Sequence, residues 1–491
     1  MYDFLKPYSQ DNPEKFNEEF IYMKRDDKVL DYMVDICKAL EVIDGVKFLG
    51  AKLITDESQL KTRGKEGEKW IGLEESRLDT IDIKFRVTGD KEGEDEIIER
   101  SILFPKLIND FYYVLGGNKS YPIYQIIDLA TYKTPKSLTL KTLLMPIVLR
   151  TYEETITDYN ENEYTENIFI LDLFKNKVNV LHYYFAKFGL EETIKMFGFT
   201  DHEIGIAGAD EIDFDDNEEY ILFKVSKHVV VYVANEVMEK SFNRRFVLMI
   251  VNMLNSRCTM DRVISREYWE KKLGMIFTKN PNSQADKAKK IIISFERILD
   301  DRTRKILRID DKYKKNIYSI IEWMMTHYDT LITKDNMDLA NKRIRVNEYL
   351  LHPLLIKFST ITYRLLNKPQ VTFNQKKQLF STLGPGFVIK KLKQNELLRY
   401  NNSVNGIDLF TSGLKFSQRG PQSMSEGGKS ISIRYRGLHP SYVGRIGLTT
   451  SSSGDPGMTG TFSPFIQTEG FYFTKPDDEF LEEATNEKDT V

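Results

Sequence analysis

SQRGPQSMSEGGKSISIRYRGLHPSYVGRIGLTTSSSGDPGMTG, residues 417–460, is the stretch on which the fold turns. Gly, Ser and Pro are dense in it and its apolar runs are short, a texture that sets in beyond residue 400. So long and poorly periodic a segment is either a functional loop or disordered. Inside it, ISIRYRGLHP alternates as a strand does, which puts Ile431, Ile433 and Tyr435 on one face and Ser432, Arg434 and Arg436 on the other. One face suits a core and the other suits anions. Two arginines about 7 Å apart match successive phosphates of a single strand.

The charge pattern widens this reading. From Lys391 to Arg445 the chain carries nine Lys and Arg (Lys391, Lys393, Arg399, Lys415, Arg419, Lys429, Arg434, Arg436, Arg445) against Glu396, Asp408 and Glu426. Asn401, Asn402, Ser417, Gln418, Gln422 and Ser425 lie among them, a mixture suited to phosphate contacts from guanidinium groups and backbone N–H. A basic surface facing the acidic face of a protein partner is the other reading. The whole chain, by contrast, has 70 Lys plus Arg against 73 Asp plus Glu, so any basic surface is local.

Three local patterns invite other chemistry. GGKS (427–430) lacks the glycine that a phosphate loop needs five residues before Gly428, where Ser423 stands, and a strand follows it instead of a helix. EIDFDDNEE, with Asp213, Asp215 and Asp216, has the closely spaced acids that bind Mg²⁺ for nucleotidyl transfer, but no glycine bends it around a metal. It reads equally as an acidic loop before a strand. GIAGAD (205–210) lacks nucleotide-fingerprint spacing and reads as a turn.

At 491 residues the chain is long enough for two or three globular domains, since single cores stop growing near roughly 250–300 residues. No apolar run approaches the roughly 18 residues that span a bilayer, and MYDFLKPYSQDNPEKF lacks the regions of a signal peptide, so a soluble, intracellular protein is expected. Cys37 and Cys258, in segments that read as helical, suit buried thiols. His182, His202, His228, His327, His352 and His439 never fall at metal-ligand spacing.

Periodicity predicts a helix within 14–43, then strands at GVKFLGAKLIT and IDIKFRVTG, with RGKEGEKW and GDKEGEDEIIER as solvated hairpin tips. FYYVL and YPIYQII flank Gly116, Gly117 and Asn118 and predict a tight hairpin. From about 136 the pattern becomes helix-rich, with helices at LHYYFAKFGLEETIKMFGF, VANEVMEKSFNRRFVLMIVNML, SQADKAKKIIISFERIL and KYKKNIYSIIEWMMTHYDTLI and strands at ENIFILDLF and EEYILFKVSKHVVVYV. One long helix over 344–367 is predicted to kink or break at Pro353. DDEFLEEATNEKDTV reads as a frayed acidic tail.

Three segments, in order, resemble the β subunit of cellular and viral multisubunit RNA polymerases. DFYYVLGGNKSYPIYQIIDLA (110–130) is similar to a hairpin whose second strand ends in a Gln, here Gln125, although the Glu usual after the turn is missing. MDLANKRIRVNEYL (337–350) resembles the family's Asp, Asn, Arg, Arg, Glu pattern through Asp338, Asn341, Arg343, Arg345 and Glu348, with one residue fewer between the first two. Residues 417–460 resemble the fork loop, most closely at Gly420, Pro421, Arg436, His439, Pro440, Gly444 and Arg445. The departures are SSSGDPG (451–457) in place of an acidic stretch, and Thr411, Ser412, Lys415 and Phe416 in place of residues of the rifampicin pocket. The chain stops at Val491, where the family's catalytic half would follow. A β subunit split into two chains resembles the non-virion type RNA polymerases of giant bacteriophages.

The resemblance implies a multidomain α+β fold of protrusion, lobe and fork. The protrusion would take 1–135 and 346–395, the lobe 136–335, and the fork 336–345 with 396–480, leaving 481–491 as the tail. It implies the N-terminal part of a split β subunit of a DNA-directed RNA polymerase, holding DNA and the RNA–DNA hybrid, with Asp338, Arg343, Arg345, Gln394, Arg419, Lys429, Arg434, Arg436 and Arg445 at nucleic acid. The implied partners are the C-terminal half of β, β′-like subunits, a promoter-specificity factor, template DNA and transcript, with no membrane. Catalytic Mg²⁺ would belong to the largest subunit and the chain alone would be inactive, working in the cytoplasm of an infected bacterium or packaged in the virion. Two rivals stand beside this: a noncatalytic scaffold or virion protein, and a self-sufficient nucleotidyl transferase using Asp213, Asp215 and Asp216.

Overall fold

The computed structural model describes residues 26–54, 76–108, 112–174, 176–209, 219–254, 258–368, 370–381, 383–402, 404–420, 423, 437–447, 457–463, 466 and 468–473. RGKEGEKW, Asp213 to Asp216, Lys429, the Ile431 to Arg436 stretch and the acidic tail lie outside the described residues. What is described is mixed α+β, as the sequence predicts. No helix among these residues is long and apolar enough to cross a membrane.

The helix Asp26–Ala39 buries Val29, Tyr32, Met33, Ile36 and Cys37 at the 3–4 residue spacing of one face. It lies against an antiparallel sheet of β1 (Val46–Ile54), β2 (Leu78–Thr88) and β3 (Asp95–Pro105). Ile81, Ile83, Phe85 and Val87 alternate inward along β2, and 89–94 forms the expected hairpin tip. The hairpin of β4 (Tyr113–Leu115) and β5 (Asn118–Pro122) also forms, and its turn is Gly116 and Gly117, both at positive φ. Asn118 is the first residue of β5 and not part of that turn. YPIYQII, predicted as one run, is cut at Ile123: β5 stays in its small sheet and β6 (Tyr124–Asp128) enters another.

A sequential antiparallel meander follows, β7 (Thr131–Thr134), β8 (Ser137–Lys141), β9 (Pro146–Thr157), β10 (Glu163–Leu173) and β11 (Asn176–Asn179). The first three were not expected, because their inner ends are apolar only over a few residues. The outer half of the β9–β10 hairpin extends beyond the core, with Tyr152 and Tyr159 exposed. Gly189, at φ 85°, splits the next predicted helix into Leu181–Phe188 and Leu190–Met196. β12 (Ile204–Gly208), β13 (Tyr220–Lys224) and β14 (Val229–Ala234) form a small sheet in which GIAGA is a strand and not the predicted turn. Gly205 serves that strand by leaving room for the Tyr232 ring. VANEVMEKSFNRRFVLMIVNML forms a short 3-10 helix at Asn235–Glu239 and an α-helix only from Ser241 to Met253. Helices Arg266–Phe277, Gln284–Glu296 and Ile317–Thr326 then complete this region. Cys258 precedes a helix instead of sitting in one, and both cysteines are buried thiols.

The long helix predicted over 344–367 does not exist. Lys342–Arg345 is a strand, β15, a single helical turn follows at Asn347–Leu350, and the helix proper is His352–Leu366 with Pro353 in its first turn. Proline lacks the N–H that a first turn leaves unpaired anyway, so here it starts a helix and breaks none. Beyond 400, where no helix was expected, Asn405 caps a helix over Gly406–Gly413 by accepting from the Asp408 N–H. The buried apolar residues from Val29 to Phe473 form one contiguous core.

Gly274 marks the tightest helix contact. A Cβ there would lie 2.0 Å from the Gln284 carbonyl oxygen, at the start of the Gln284–Glu296 helix. Backbone cannot swing aside as a side chain can, so Gly274→Ala should destabilise the chain by about 1–3 kcal/mol, the usual cost of overpacking. Urea unfolding measures it, and an unchanged midpoint would count against this helix pair.

Candidate nucleic-acid interface

A six-stranded sheet gathers all three of the segments that resemble the polymerase subunit. Its order is β18 (Thr459–Thr461), β17 (Lys415–Ser417), β6, β15, β20 (Tyr472–Phe473) and β19 (Thr468–Glu469). β6 runs antiparallel to β15 and parallel to β17. It is therefore walled by chain that lies hundreds of residues further on.

Gln125 stands at the centre, fully buried. Its Oε1 accepts from Arg345 Nε at 2.8 Å, and its Nε2 donates to the Arg419 carbonyl at 2.8 Å. Each end of the amide thus meets the group it requires. Gly420 follows at φ 104°, and a Cβ there would come within 3.0 Å of Gln125 Nε2. Only glycine lets the turn close on the amide.

Beside it lies an internal ion cluster. Arg343 binds Glu348 through two parallel bonds of 2.8 Å, and Arg302 reaches Glu348 Oε1 at 2.8 Å while its guanidinium stacks 4.3 Å from the Phe471 ring. Burial would raise the Glu348 carboxyl, but Arg343 and Arg302 outweigh it and hold it far below the ordinary carboxylate range. Burial likewise lowers both neighbouring arginines. Glu348 more than compensates at Arg343, whereas Arg345, with Arg343 as a like-charged neighbour, stays at about 10 and remains charged at neutral pH. Burial, helped by Arg345, pushes His352 down to about 4. The Tyr349 hydroxyl donates to the carbonyls of Ile123 at 2.6 Å and Leu397 at 3.1 Å, fastening the break between β5 and β6.

Asp128, at the end of β6, is ringed by lysines: Lys342 at 2.7 Å, Lys334 at 2.9 Å and Lys141 at 3.8 Å. Burial alone would raise its carboxyl, but Lys342 and Lys334 hold it at about 2.

The fork segment packs over this frame. Gln418 Nε2 donates to the Tyr442 hydroxyl at 3.0 Å and the Gly457 carbonyl at 3.2 Å. His439 caps the turn Pro440–Tyr442, its Nδ1 accepting from the Ser441 N–H, and Ser441 Oγ accepts from the Leu339 N–H at 3.0 Å. Arg445 donates to the Ser441 carbonyl at 2.8 Å. Burial lowers Arg445 and the Asp338 charge offsets part of that, so these two predicted residues are brought together. Asp338 also caps Leu339–Asn341 through the Ala340 N–H at 2.9 Å.

The predicted contact residues thus separate by place. Arg343 and Arg345, expected at phosphates, are 7% and 1% exposed and are occupied by Glu348 and Gln125. Strand alternation cannot point one arginine outward here, because β15 is covered on both faces. Arg419 and Arg445 are half-buried with their backbones held by the frame, and Gln394 is exposed after the Phe387–Leu392 helix. Lys429, Arg434 and Arg436 lie outside the described residues. Arg302 and Asp128 have no role that the sequence alone would suggest. Their partners are remote in the chain, and no local pattern announces them. Among the described residues no group of His, Cys, Asp or Glu gathers as a metal would need. The arrangement holds cations in place.

Removing the Glu348 carboxylate strands two buried guanidinium groups, so Glu348→Ala should cost about 3–5 kcal/mol in chemical unfolding, and a loss below about 1 kcal/mol would contradict the cluster. Asp128 carries a pH signature. Its carboxyl titrates near roughly 3.9 when unfolded and at about 2 when folded, so its stabilisation is complete above the unfolded value and drains away as pH falls through the folded one. Asp128→Asn should therefore unfold earlier than wild type near neutral pH and converge with it toward pH 2. A gap independent of pH would exclude the charge as its source.

No curated protein matches this chain. The family model described as non-virion RNA polymerase subunit matches residues 8–487, nearly the whole length and all three segments of the sheet. The chain belongs to the non-virion RNA polymerase subunit family.

Proposed function

We propose that this subunit is the N-terminal part of a split β subunit of a phage DNA-directed RNA polymerase, made of protrusion, lobe and fork. What carries the reading is the meeting of Gln125, the Arg343 to Glu348 strand and turn, and the Arg419–Gly420 turn in one sheet. These are the places where the sequence resembles the β subunit, and nothing in their spacing along the chain requires them to be neighbours. On this assignment the subunit guides DNA and the RNA–DNA hybrid, with Arg419, Arg445, Lys429, Arg434 and Arg436 as electrostatic positioners and Gln394 as a neutral contact; Asp338 meets a base of the separated strand. Arg343 and Arg345 hold the frame instead. Phosphate contacts of this kind fix register and carry no base preference.

The subunit's partners are then the C-terminal half of β, β′-like subunits and a promoter-specificity factor. The catalytic Mg²⁺ sits in the largest subunit, and the isolated chain does not extend RNA. The complex works in the cytoplasm of the infected bacterium.

Affinity purification of the tagged subunit from infected cells should bring down a second β fragment and β′-like chains. In the assembled enzyme Arg445→Ala should weaken template binding equally across sequences and lower the slope of log K against log salt by about 0.9, as expected when one phosphate is no longer neutralised. RNA extension by the purified subunit alone, or its recovery with none of these chains, would overturn the assignment.

A further inference from the structure

One face gathers exposed cations. Lys119, Lys390, Lys391 and Arg399 are all exposed and make no ion pair among the described residues.

The fold places these four together. β16 (Leu398–Tyr400) is an edge strand paired with β5, so that Arg399 faces Tyr121, and the Asn401 N–H donates to the Lys119 carbonyl at 2.8 Å. Lys119 and Arg399 are diagonal neighbours on one face of the pair, about 7–8 Å apart. The Phe387–Leu392 helix delivers Lys390 and Lys391 just before this strand, and a Cβ at Gly116 in the β4–β5 turn would lie 3.5 Å from Lys393 Nζ. Exposed amides at Asn118, Gln394 and Asn402 and the exposed Tyr400 ring lie among the cations, with Glu396 as the opposing charge. The segment between helix and strand is rigid, since Asn395 accepts from the Leu397 N–H at 3.0 Å and the Leu397 carbonyl is held by Tyr349.

We infer that this face binds the phosphodiester backbone of nucleic acid and extends the fork's contacts onto the β5–β16 edge. A carboxylate-bearing protein would neutralise the same charge. Cations set on a strand pair and on the helix beside it, interleaved with amides and a stackable ring, instead suit a phosphate backbone with accessible bases. The face is also continuous with the proposed fork contacts, because a Cβ at Gly420, next to Arg419, would touch Leu397 Cδ1 at 3.1 Å. The inference rests on the reading of the subunit as a nucleic-acid guide.

The test uses the assembled polymerase carrying Lys119→Ala, Lys390→Ala, Lys391→Ala and Arg399→Ala together, with oligo-dT and an RNA–DNA hybrid of equal length as separate probes. Binding is followed by fluorescence anisotropy across a salt series. The expected result is weaker binding of at least one probe and a salt slope shallower by about 0.7 for single strands, or about 0.9 for duplex, for each phosphate that the variant no longer neutralises. The probe that responds identifies the strand bound. If the four-fold variant folds poorly, Lys390→Gln with Lys391→Gln gives the same reading on half the charge. Unchanged affinity and slope for both probes overturn the inference. So does a variant that folds, by circular dichroism, but no longer joins its partner chains, because the face is then a protein interface. Arg445→Ala run in parallel separates the failures: loss of binding there alone defeats only this face, and no loss in either defeats the guide reading.

Discussion

Everything in the described fold that involves the six-stranded sheet depends on how its buried charges are paired. An arginine in a low-dielectric interior is tolerated only where a carboxylate and well-aimed acceptors replace its water, and Glu348 answers two of them at once. Because Arg343 lies on a central strand, Glu348 on the turn after it and Arg302 on a helix some 46 residues before Glu348 in the chain, one carboxylate fixes three elements relative to each other. Gln125 does the same work without net charge, tying β15 to β6 and β6 to the fork turn. Replacing such a set by apolar residues would be energetically feasible, but it would not dictate one register. Specificity is the gain.

Much of the secondary structure was legible in the sequence because it is local. Gly116–Gly117 dictates its own turn, and the apolar spacing of Val29 to Cys37 dictates its own face. The misreadings share one cause. Ile344 and Arg345 look like the start of a helix, and Arg343 and Arg345 look like anion contacts, because a single strand carries no mark of what covers its second face. Both edges of β15 are paired, by β6 and β20, and all four of its residues are buried. Pro353 likewise reads as a break or as a beginning depending on where the helix starts, and the strand before it decides that. The resemblance to the polymerase subunit picked out Gln125, Arg345 and Gly420 without saying that they touch. Arg302 and Asp128 were invisible, since nothing near them in sequence predicts partners so distant.

The site that results is built to hold charge still. Arg419 and Arg445 are presented by turns whose own polar groups are satisfied by Gln125, Gln418, Ser441 and Leu339. A cation on such a support loses little freedom when it meets an anion, and so keeps more of its interaction energy. Such a support suits the guiding role proposed for the subunit.

The placement of β6 also has a consequence for how the protein is made. Its neighbours are β15 and β17, and Gln125 waits for a carbonyl that lies 294 residues further along the chain. At about 5–20 residues per second on the ribosome, that interval is roughly 15–60 s. Until β15 is made both edges of this apolar strand, with Tyr124, Ile126 and Ile127 among its residues, are unsatisfied, and the edge that takes β17 stays open for the whole interval. Such strands pair with whatever strand they meet. The subunit is therefore expected to need a holding chaperone during synthesis, and its yield to depend on the pace of translation as much as on the stability of the finished fold.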